Sequence, residues 1–348
     1  MINIRRTLLG AILLASLAID SAHAGPFENA NTAYWCGDYE TAQNLFRPLA
    51  ESGDARAQDV LGFMYYEGHG VGQDYAEALK WLRLRAEQGD AEAQVKVGDM
   101  FGAGKGTPKN PAEALKWLRL SANQGHTDAQ FKLGFAIAAG DGSPKDQAEG
   151  LKWMRVAAER GHAYSQFMVG SMLAEGKGAP RDYAEAVKWL RLSAVQGISD
   201  AQLMLGTMYS NGEAGEPNAA EAVKWFRLSA NQGSQVAQSN LGLAYYTGQG
   251  VQQDYAQALK WFQLGAEQGD ATGQAMLGTM YAKGQGVSKD PVQAYLWLNL
   301  AINRFGIEKK QFNDAAIANR DMATAELTAE QILQAQRLSR EWKPKTAQ

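Results

Sequence analysis

Apolar residues in this chain recur at the spacing of α-helices. One stripe lies at positions i, i+4, i+5 and i+8 and consists of Ala57, Leu61, Gly62 and Tyr65. A second stripe follows further along the chain and consists of Ala78, Trp81, Leu82 and Ala86. Each stripe lies on one side of a helix with 3.6 residues per turn. No segment shows the sustained alternation of a β-strand, so the pattern predicts an all-α chain.

Glycine and acidic residues mark where these helices end and begin. Gly68-His69-Gly70 follows the first stripe, and glycine supplies the positive φ that a helix end and a tight turn require. Asp74, with Glu77 three residues later, is a capping-box signal for the start of the second helix. Asn110-Pro111 repeats this signal and places proline at the first helical position. Each unit is therefore predicted to be a helix–turn–helix pair.

The helix pair recurs with a period of 36 residues. Seven tryptophans carry this period: Trp81, Trp117, Trp153, Trp189, Trp225, Trp261 and Trp297. Seven glycines carry it in the first helix: Gly62, Gly98, Gly134, Gly170, Gly206, Gly242 and Gly278. A glycine inside a helix costs about 1 kcal/mol relative to alanine, so its repetition predicts close approach by a partner helix. One pair cannot bury both apolar faces, whereas stacked pairs can, which predicts an α/α superhelix (solenoid) of antiparallel helix pairs.

The sequence of one unit resembles a known repeat family. It reads A-x-x-x-L-G-x-M-Y, then G-x-G-V, then D-Y-A-E-A-x-K-W-L-R-x-x-A-E-Q-G-D-A, and it is similar to the Sel-1-like repeat, a relative of the tetratricopeptide repeat. On this resemblance, residues 57–308 form seven repeats, residues 25–56 form a degenerate capping repeat, and residues 309–348 form capping helices and a tail. The resemblance implies an α-helical solenoid that binds other proteins as a scaffold or adaptor, and it implies no enzyme.

The first 24 residues have the features of a secretory signal peptide. Arg5 and Arg6 precede a short apolar core at residues 8–18, and Ala22-His23-Ala24 is a small-x-small cleavage site. We expect cleavage after Ala24 and a periplasmic or secreted chain. We also expect no stable membrane insertion, because the apolar core is shorter than the roughly 20 residues that a membrane span needs.

Charge and side-chain chemistry narrow the functional classes further. The formal net charge of −3 is close to neutral, which argues against nucleic-acid and anionic-membrane binding. The glycine-rich segment 102–107 follows a predicted helix and lacks the Walker spacing, so we interpret it as a repeat turn. No histidine shows metal-ligand spacing with a carboxylate or with Cys36, the single cysteine. We therefore expect no metal, no cofactor and no catalytic residue.

The predicted binding surface is the concave groove lined by the first helices. Positions 59, 63 and 66 of the first repeat are spaced i, i+4 and i+7, so they share a face that the apolar stripe does not occupy. Residues at these positions differ between repeats, as recognition residues should. The predicted partner-binding residues are Phe63, Tyr66, Phe131, Phe135, Tyr164, Phe167, Leu203, Leu243 and Tyr246. Aromatic anchors among small polar residues are typical of a groove that binds a protein or peptide.

Other surfaces and functions are weighed against this prediction. The second helices carry a stripe of glutamate, lysine and arginine, which we interpret as a solvated face with ion pairs. Groove aromatics also suit a glycan-binding protein of the cell envelope. Cysteine-rich relatives have been proposed as β-lactam hydrolases, but this chain has no cysteine pair. The sequence specifies neither the partner nor the oligomeric state.

Overall fold

The computed structural model describes residues 25–305 and 310–345. These residues contain eighteen α-helices and no β-strand, which confirms the predicted all-α fold. The predicted signal peptide, residues 1–24, lies outside the described residues. The chain divides into two compact units, residues 1–157 and 158–348, and each unit is described by itself.

The helices have nearly uniform length. The first unit holds α1 (Pro26–Trp35), α2 (Tyr39–Glu51), α3 (Ala55–Glu67), α4 (Tyr75–Glu87), α5 (Ala91–Ala103), α6 (Pro111–Asn123), α7 (Thr127–Ala139) and most of α8 (Gln147–Glu159). The second unit holds α9 (Ala163–Glu175), α10 (Tyr183–Val195), α11 (Ser199–Asn211), α12 (Ala219–Asn231), α13 (Gln235–Thr247), α14 (Tyr255–Gln268), α15 (Ala271–Lys283), α16 (Pro291–Ile302), α17 (Lys310–Thr324) and α18 (Ala329–Glu341).

Within each unit, successive helices pack against each other, from α1 to α7 in the first unit and from α9 to α17 in the second. The odd-numbered helices from α3 to α15 are the first helices of the repeats, and the even-numbered helices from α4 to α16 are the second helices. The predicted solenoid of stacked helix pairs is confirmed. The pair α1–α2 precedes the first repeat, and α17 and α18 both pack against α16 after the last repeat.

Caps and turns begin and end the helices where the sequence indicates. The Asp74 carboxylate accepts hydrogen bonds from the N–H groups of Ala76 (2.9 Å) and Glu77 (3.1 Å) at the start of α4. Gly68 ends α3 in the left-handed region at φ 79°. Gly70 has φ 72°, and a Cβ on it would lie 2.2 Å from the Tyr39 Cβ. The turn therefore packs so closely against the start of α2 that only glycine fits.

The repeated glycine inside the first helices allows close helix contact, as predicted. A Cβ on Gly62 would lie 2.8 Å from the Leu82 Cγ on the paired helix. A Cβ on Gly206 would lie 2.5 Å from the Phe226 Cδ1. Real Cβ atoms do not approach other heavy atoms so closely, so a side chain at these positions would force the neighbouring side chain or its helix to move.

In each repeat the core layer beside the tryptophan is formed by the residue that follows it, which is more buried than the tryptophan itself. Leu82, Met154, Leu190, Phe262 and Leu298 are all essentially inaccessible to solvent. The tryptophans themselves are buried in four repeats, at Trp81, Trp117, Trp225 and Trp297. In the other three they are only half-buried, at Trp153, Trp189 and Trp261. The tryptophan ladder thus lies at the edge of the core.

Two of the indole N–H groups donate to a carboxylate on their own helix. Trp81 donates from Nε1 to the Glu77 carboxylate over 3.2 Å, and Trp189 donates to Glu185 over 3.1 Å. Both glutamates lie one turn earlier on the same helix. These bonds satisfy the indole N–H of Trp81 and Trp189. The Nε1 atoms of Trp117 and Trp225 are instead buried without a hydrogen-bond partner.

A buried glutamine links each helix pair to the next. The seven residues are Gln58, Gln94, Gln130, Gln166, Gln202, Gln238 and Gln274. The Nε2 of Gln58 donates to the Ala50 carbonyl over 3.1 Å, and its Oε1 accepts from Gln88 over 2.9 Å. Gln202 makes the equivalent bonds to the Ala194 carbonyl and Gln232. Because unpaired buried amides are costly, these bonds fix the stacking register.

Candidate functional site

The candidate site is the exposed side of the first helices, which we call the first-helix surface. In α3 the residues Ala57, Gln58, Leu61, Gly62 and Tyr65 are buried against neighbouring helices. Positions 56, 59, 63 and 66 of the repeat lie on the opposite side of the helix, and their counterparts recur every 36 residues. All nine sequence-predicted residues occupy these positions.

The predicted residues differ in how far they reach solvent. Tyr164 is 55% exposed and Phe135 is 50% exposed, which is unusual for side chains of this size. Phe63 and Leu243 are also exposed, although less so. The half-buried members are Tyr66, Phe131, Phe167, Leu203 and Tyr246. In the first unit the Phe131 and Phe135 rings lie 6.1 Å apart between centroids, so they form one apolar patch.

Two of the predicted residues also hold neighbouring repeats together. The Tyr66 hydroxyl accepts a 2.6 Å hydrogen bond from the Lys105 Nζ, in the turn of the next repeat. The Tyr246 hydroxyl donates over 2.8 Å to the Gln285 Oε1, at the equivalent place in the second unit. Burial, with a contribution from nearby Tyr255, raises the pKa of the Tyr246 hydroxyl above its ordinary value. Both tyrosines therefore offer only part of their rings to a partner.

The first unit has an apolar notch between α3 and α5. This cavity of about 220 Å³ is lined by Phe63, Tyr66, Glu67, Leu82, Lys96 and Asp99. The Phe63 ring also meets the His69 ring edge-on at 5.9 Å. His69 in turn stacks on Tyr39 at 5.0 Å, and its Nδ1 lies 3.2 Å from the Tyr34 hydroxyl. The notch thus continues into an aromatic cluster at the first turn.

Ion pairs cross this surface from one first helix to the next. Lys96 on α5 lies 3.8 Å from Asp59 on α3, and Lys132 on α7 lies 2.6 Å from Asp99 on α5. Lys132 also pairs with Asp128 at 3.0 Å. Burial opposes the charge on Lys132, but the two carboxylates outweigh it and raise the pKa of its ammonium group. The first-helix surface of the first unit therefore combines apolar rings with fixed charges.

The second unit contains the same notch with different chemistry. The residues four periods after those of the first notch are Thr207, Ser210, Asn211, Phe226, Asn240 and Leu243, and all six line a cavity of about 150 Å³. None of these six side chains carries a charge. The shared geometry comes from the repeat, and the difference comes from the variable positions.

Sequence reasoning missed the charged part of this site. The ion pairs join residues 37 and 33 positions apart, Asp59 with Lys96 and Asp99 with Lys132. Neither separation is a helical spacing, so neither pair is visible along one helix. An alignment of the repeat sequences would have placed these residues on the same surface, and this alignment is the signal that sequence reasoning could have used.

The described residues offer no other obvious chemistry. They contain no group of three or more histidine, cysteine, aspartate or glutamate side chains that could hold a metal ion. In these same ranges no helix combines the length and apolar character that crossing a membrane requires. Cys36 is exposed and has a free thiol.

Comparisons with known proteins place the fold in a family. The Sel1 repeat model matches residues 55–90, 91–126, 127–162, 163–198, 199–234, 235–270 and 271–304. A Sel1 repeat protein from Oxalobacter formigenes is 31% identical, with 87% of this chain and 89% of that one covered and a TM-score of 0.67. The protective antigen c5321 of uropathogenic Escherichia coli, which displays an SLR fold, is 30% identical over 87% of this chain and 79% of that one, with a TM-score of 0.43.

No curated protein shows a significant match to the chain. The seven matched repeats nevertheless cover most of its length, and they agree in register with the helix pairs described above. The fold of these repeats is commonly a scaffold for protein–protein interaction and is typically non-enzymatic. The chain belongs to the Sel1 repeat family.

Proposed function

We propose that this protein is an exported scaffold that binds a protein or peptide segment on its first-helix surface. The observation that carries the proposal is the contrast between two sets of positions. Buried positions such as Gly62 and Gln58 hold the same residue in every repeat, whereas the exposed positions change. Among the changing residues, Phe135 and Tyr164 expose large rings that the fold itself does not need.

The test compares two triple variants for capture of a partner. The first carries Phe131→Ala, Phe135→Ala and Phe167→Ala. The matched control carries Leu120→Ala, Leu192→Ala and Leu228→Ala, which remove exposed aliphatic side chains from second helices. Each tagged variant is crosslinked in the native cell envelope, and captured proteins are identified by mass spectrometry.

We expect the aromatic variant to lose partners that wild type and the control retain. Circular dichroism should show helical content close to wild type for both variants, because the substituted side chains are exposed or half-buried. Retention of all partners by the aromatic variant, with loss in the control, would place binding on the second helices and refute the proposal.

Export rests on residues 1–24, the predicted signal peptide. N-terminal sequencing of protein from a fractionated cell tests this part, and we expect the mature chain to begin at Gly25 in a compartment outside the cytoplasm. An intact segment 1–24 on cytoplasmic protein would contradict it.

Glycan binding is a second candidate because one aromatic cluster is open to solvent. Trp35 is 77% exposed and meets Tyr34 edge-on at 5.5 Å, next to the stacked pair of Tyr39 and His69. Exposed rings of this kind can stack on sugar faces. A polysaccharide array distinguishes the two functions: binding that Trp35→Ala abolishes would favour the glycan.

The proposed scaffold has no catalytic role. Turnover of nitrocefin tests the hydrolase alternative suggested by cysteine-rich relatives. We expect no turnover above the uncatalysed rate, and hydrolysis by the purified chain would contradict this part of the proposal.

A further inference from the structure

Residues 342–345 form a short extended segment that follows α18, here called the strap. Trp342 leaves the helix with φ −64° and ψ 136°, which is extended backbone. The strap then runs back to the end of α14, far from it in sequence. It is therefore held by contacts with the second unit's repeats rather than by its own secondary structure.

An aromatic side chain anchors one end of the strap. The Trp342 ring meets Trp297 of α16 edge-on at 6.2 Å, and the Arg304 guanidinium lies over it at 4.6 Å. Arg304 is itself oriented by a 3.3 Å hydrogen bond to the Leu300 carbonyl. The ring thus lies between a second aromatic and a held cation, an arrangement that favours tryptophan.

A main-chain hydrogen bond and an ion pair hold the other end. The Lys345 N–H donates to the Glu267 carbonyl over 2.8 Å, and its Nζ lies 3.0 Å from the Glu267 carboxylate. That carboxylate is mostly buried and also accepts from the Gln263 amide over 3.1 Å. An aromatic anchor, a main-chain bond and a charge pair within four residues are the contacts by which proteins hold extended peptides.

The strap also adjoins the first-helix surface of the second unit. Pro344 and Lys345 form one wall of a cavity of about 650 Å³, and the other walls include Asp200, Leu203 and Val236. Leu203 belongs to the predicted binding residues, and Val236 stands at position 56 of its repeat. A segment bound on this part of the surface would meet the strap.

We propose that the strap is an internal ligand, and that the site beneath it binds an extended partner segment with an aromatic residue followed three positions later by lysine. This inference deepens the proposed function by naming the chemistry of the partner. The partner segment replaces the strap, takes over the Trp297–Arg304 socket with its aromatic ring, and pairs its lysine with Glu267.

The chain's own sequence supplies the probe. A fluorescent peptide of residues 340–345 is titrated against wild type and against the full chain carrying Trp342→Ala and Lys345→Ala, and fluorescence anisotropy is measured. The attached strap competes at an effective concentration of about 1 mM, so we expect the peptide to bind the variant at least about tenfold more tightly than wild type. A peptide with alanine in place of the tryptophan should not bind either protein.

The site is verified by a third substitution. In the released variant, Glu267→Gln removes the charge pair but keeps a polar side chain of the same size, and we expect about tenfold weaker peptide binding. Equal binding to wild type and variant, or no binding to a released variant with wild-type circular dichroism, overturns the proposal. If the double variant does not fold, Lys345→Glu in the otherwise intact chain replaces it, and a folded Lys345→Glu without a gain in peptide binding is equally decisive.

Two other results can be told apart from binding of a partner segment beneath the strap. A wild-type dimer that dissociates on Trp342→Ala in sedimentation analysis would make the occupant the strap of a second copy, and would overturn the assignment to a partner protein. The first-helix triple variant changes none of the strap contacts, so loss of partner capture and loss of peptide binding report on separate proposals.

Discussion

Replacement of Phe262 by alanine should destabilise the second unit more than any change at the neighbouring tryptophan. The Phe262 side chain is 0% exposed and packs in a cluster with Ala258, Leu277 and Leu296. A buried phenylalanine removes roughly 150–200 Å² of apolar surface from water, which is worth about 4–5 kcal/mol at about 25 cal/mol/Å². Alanine retains the Cβ, so we expect a loss of about 3–5 kcal/mol.

Urea unfolding followed by helical circular dichroism measures this loss. Stacked repeats couple mainly to their neighbours, so the transition that reports the second unit should shift. With a slope of about 2–3 kcal/mol/M, the midpoint should fall by about 1–2 M. Trp261→Ala is the matched control, because this larger ring is only half-buried and its loss should cost about 1–2 kcal/mol. A larger shift for Trp261→Ala would refute the assignment of the core layer.

Three further changes test the packing, the glutamine bonds and the helix caps. Gly206→Ala should cost about 1–3 kcal/mol in urea unfolding, because its Cβ would lie 2.5 Å from the Phe226 ring; an unchanged midpoint would contradict the close contact. Gln202→Leu should cost roughly 1–3 kcal/mol, since a buried carbonyl and a glutamine amide lose their partner. Burial opposes ionisation of the Asp54 carboxyl. Hydrogen bonds from the Ala57 N–H and from the backbone and side chain of Arg56 outweigh this effect and lower the pKa of the carboxyl. Its stabilisation is therefore present above about pH 4 and lost as pH falls through the lowered pKa. Asp54→Ala should accordingly cost about 1 kcal/mol at pH 7 and nearly nothing below that lowered pKa in pH-dependent thermal melts.

The period of the sequence was sufficient to predict most of the fold. The glycine inside each first helix predicted close helix contact, and the Cβ clearance at Gly62 confirms it. Aspartate or asparagine before the second helices predicted a cap, as Asp74 shows. The caps are local features and the glycine is repeated seven times, and the period of the sequence reveals features of either kind.

The sequence did not show which of two adjacent core positions lies deeper. Trp261 and Phe262 are both apolar, and helical periodicity separates them by only one position. The tryptophan of each repeat belongs to the predicted apolar stripe, but Trp153, Trp189 and Trp261 are only half-buried. A hydropathy pattern contains no information on this order, because it scores both residues as apolar.

The strap was not predictable from the repeat pattern. It occurs once, so no other unit reveals its role by comparison. Its partner Glu267 is 78 residues before Lys345, and the residues between them belong to repeats that follow their own pattern. Contacts of this kind depend on how the last helices fold back, which requires the structure.

In the last repeat, the outer face of the second helix is covered by other residues of the same chain. Leu300 of α16 is only 4% exposed because Leu338 and Trp342 pack against the same cluster. The positions beside it are Leu296, where the six earlier repeats have lysine, and Asn299, which donates to Ser339 on α18 over 2.8 Å. The second helix whose outer face is covered thus lacks the lysine and arginine that earlier repeats carry at these positions.

The earlier repeats keep those cations, and this distinguishes the two candidate surfaces. Their second helices carry an exposed aliphatic residue at the position of Leu300, such as Leu120 and Leu228, with lysine and arginine beside it. These lysines pair with glutamates on their own helix but stay highly exposed, at 72% for Lys116 and 70% for Lys224, so a partner there would have to desolvate them, which is costly. On the first-helix surface of the first unit, by contrast, Lys96 and Lys132 are only 36% and 31% exposed, and both are paired with carboxylates of adjacent repeats. A bound segment can therefore cover Phe63 and Phe135 there with less desolvation of charge, which favours the first helices as the binding surface.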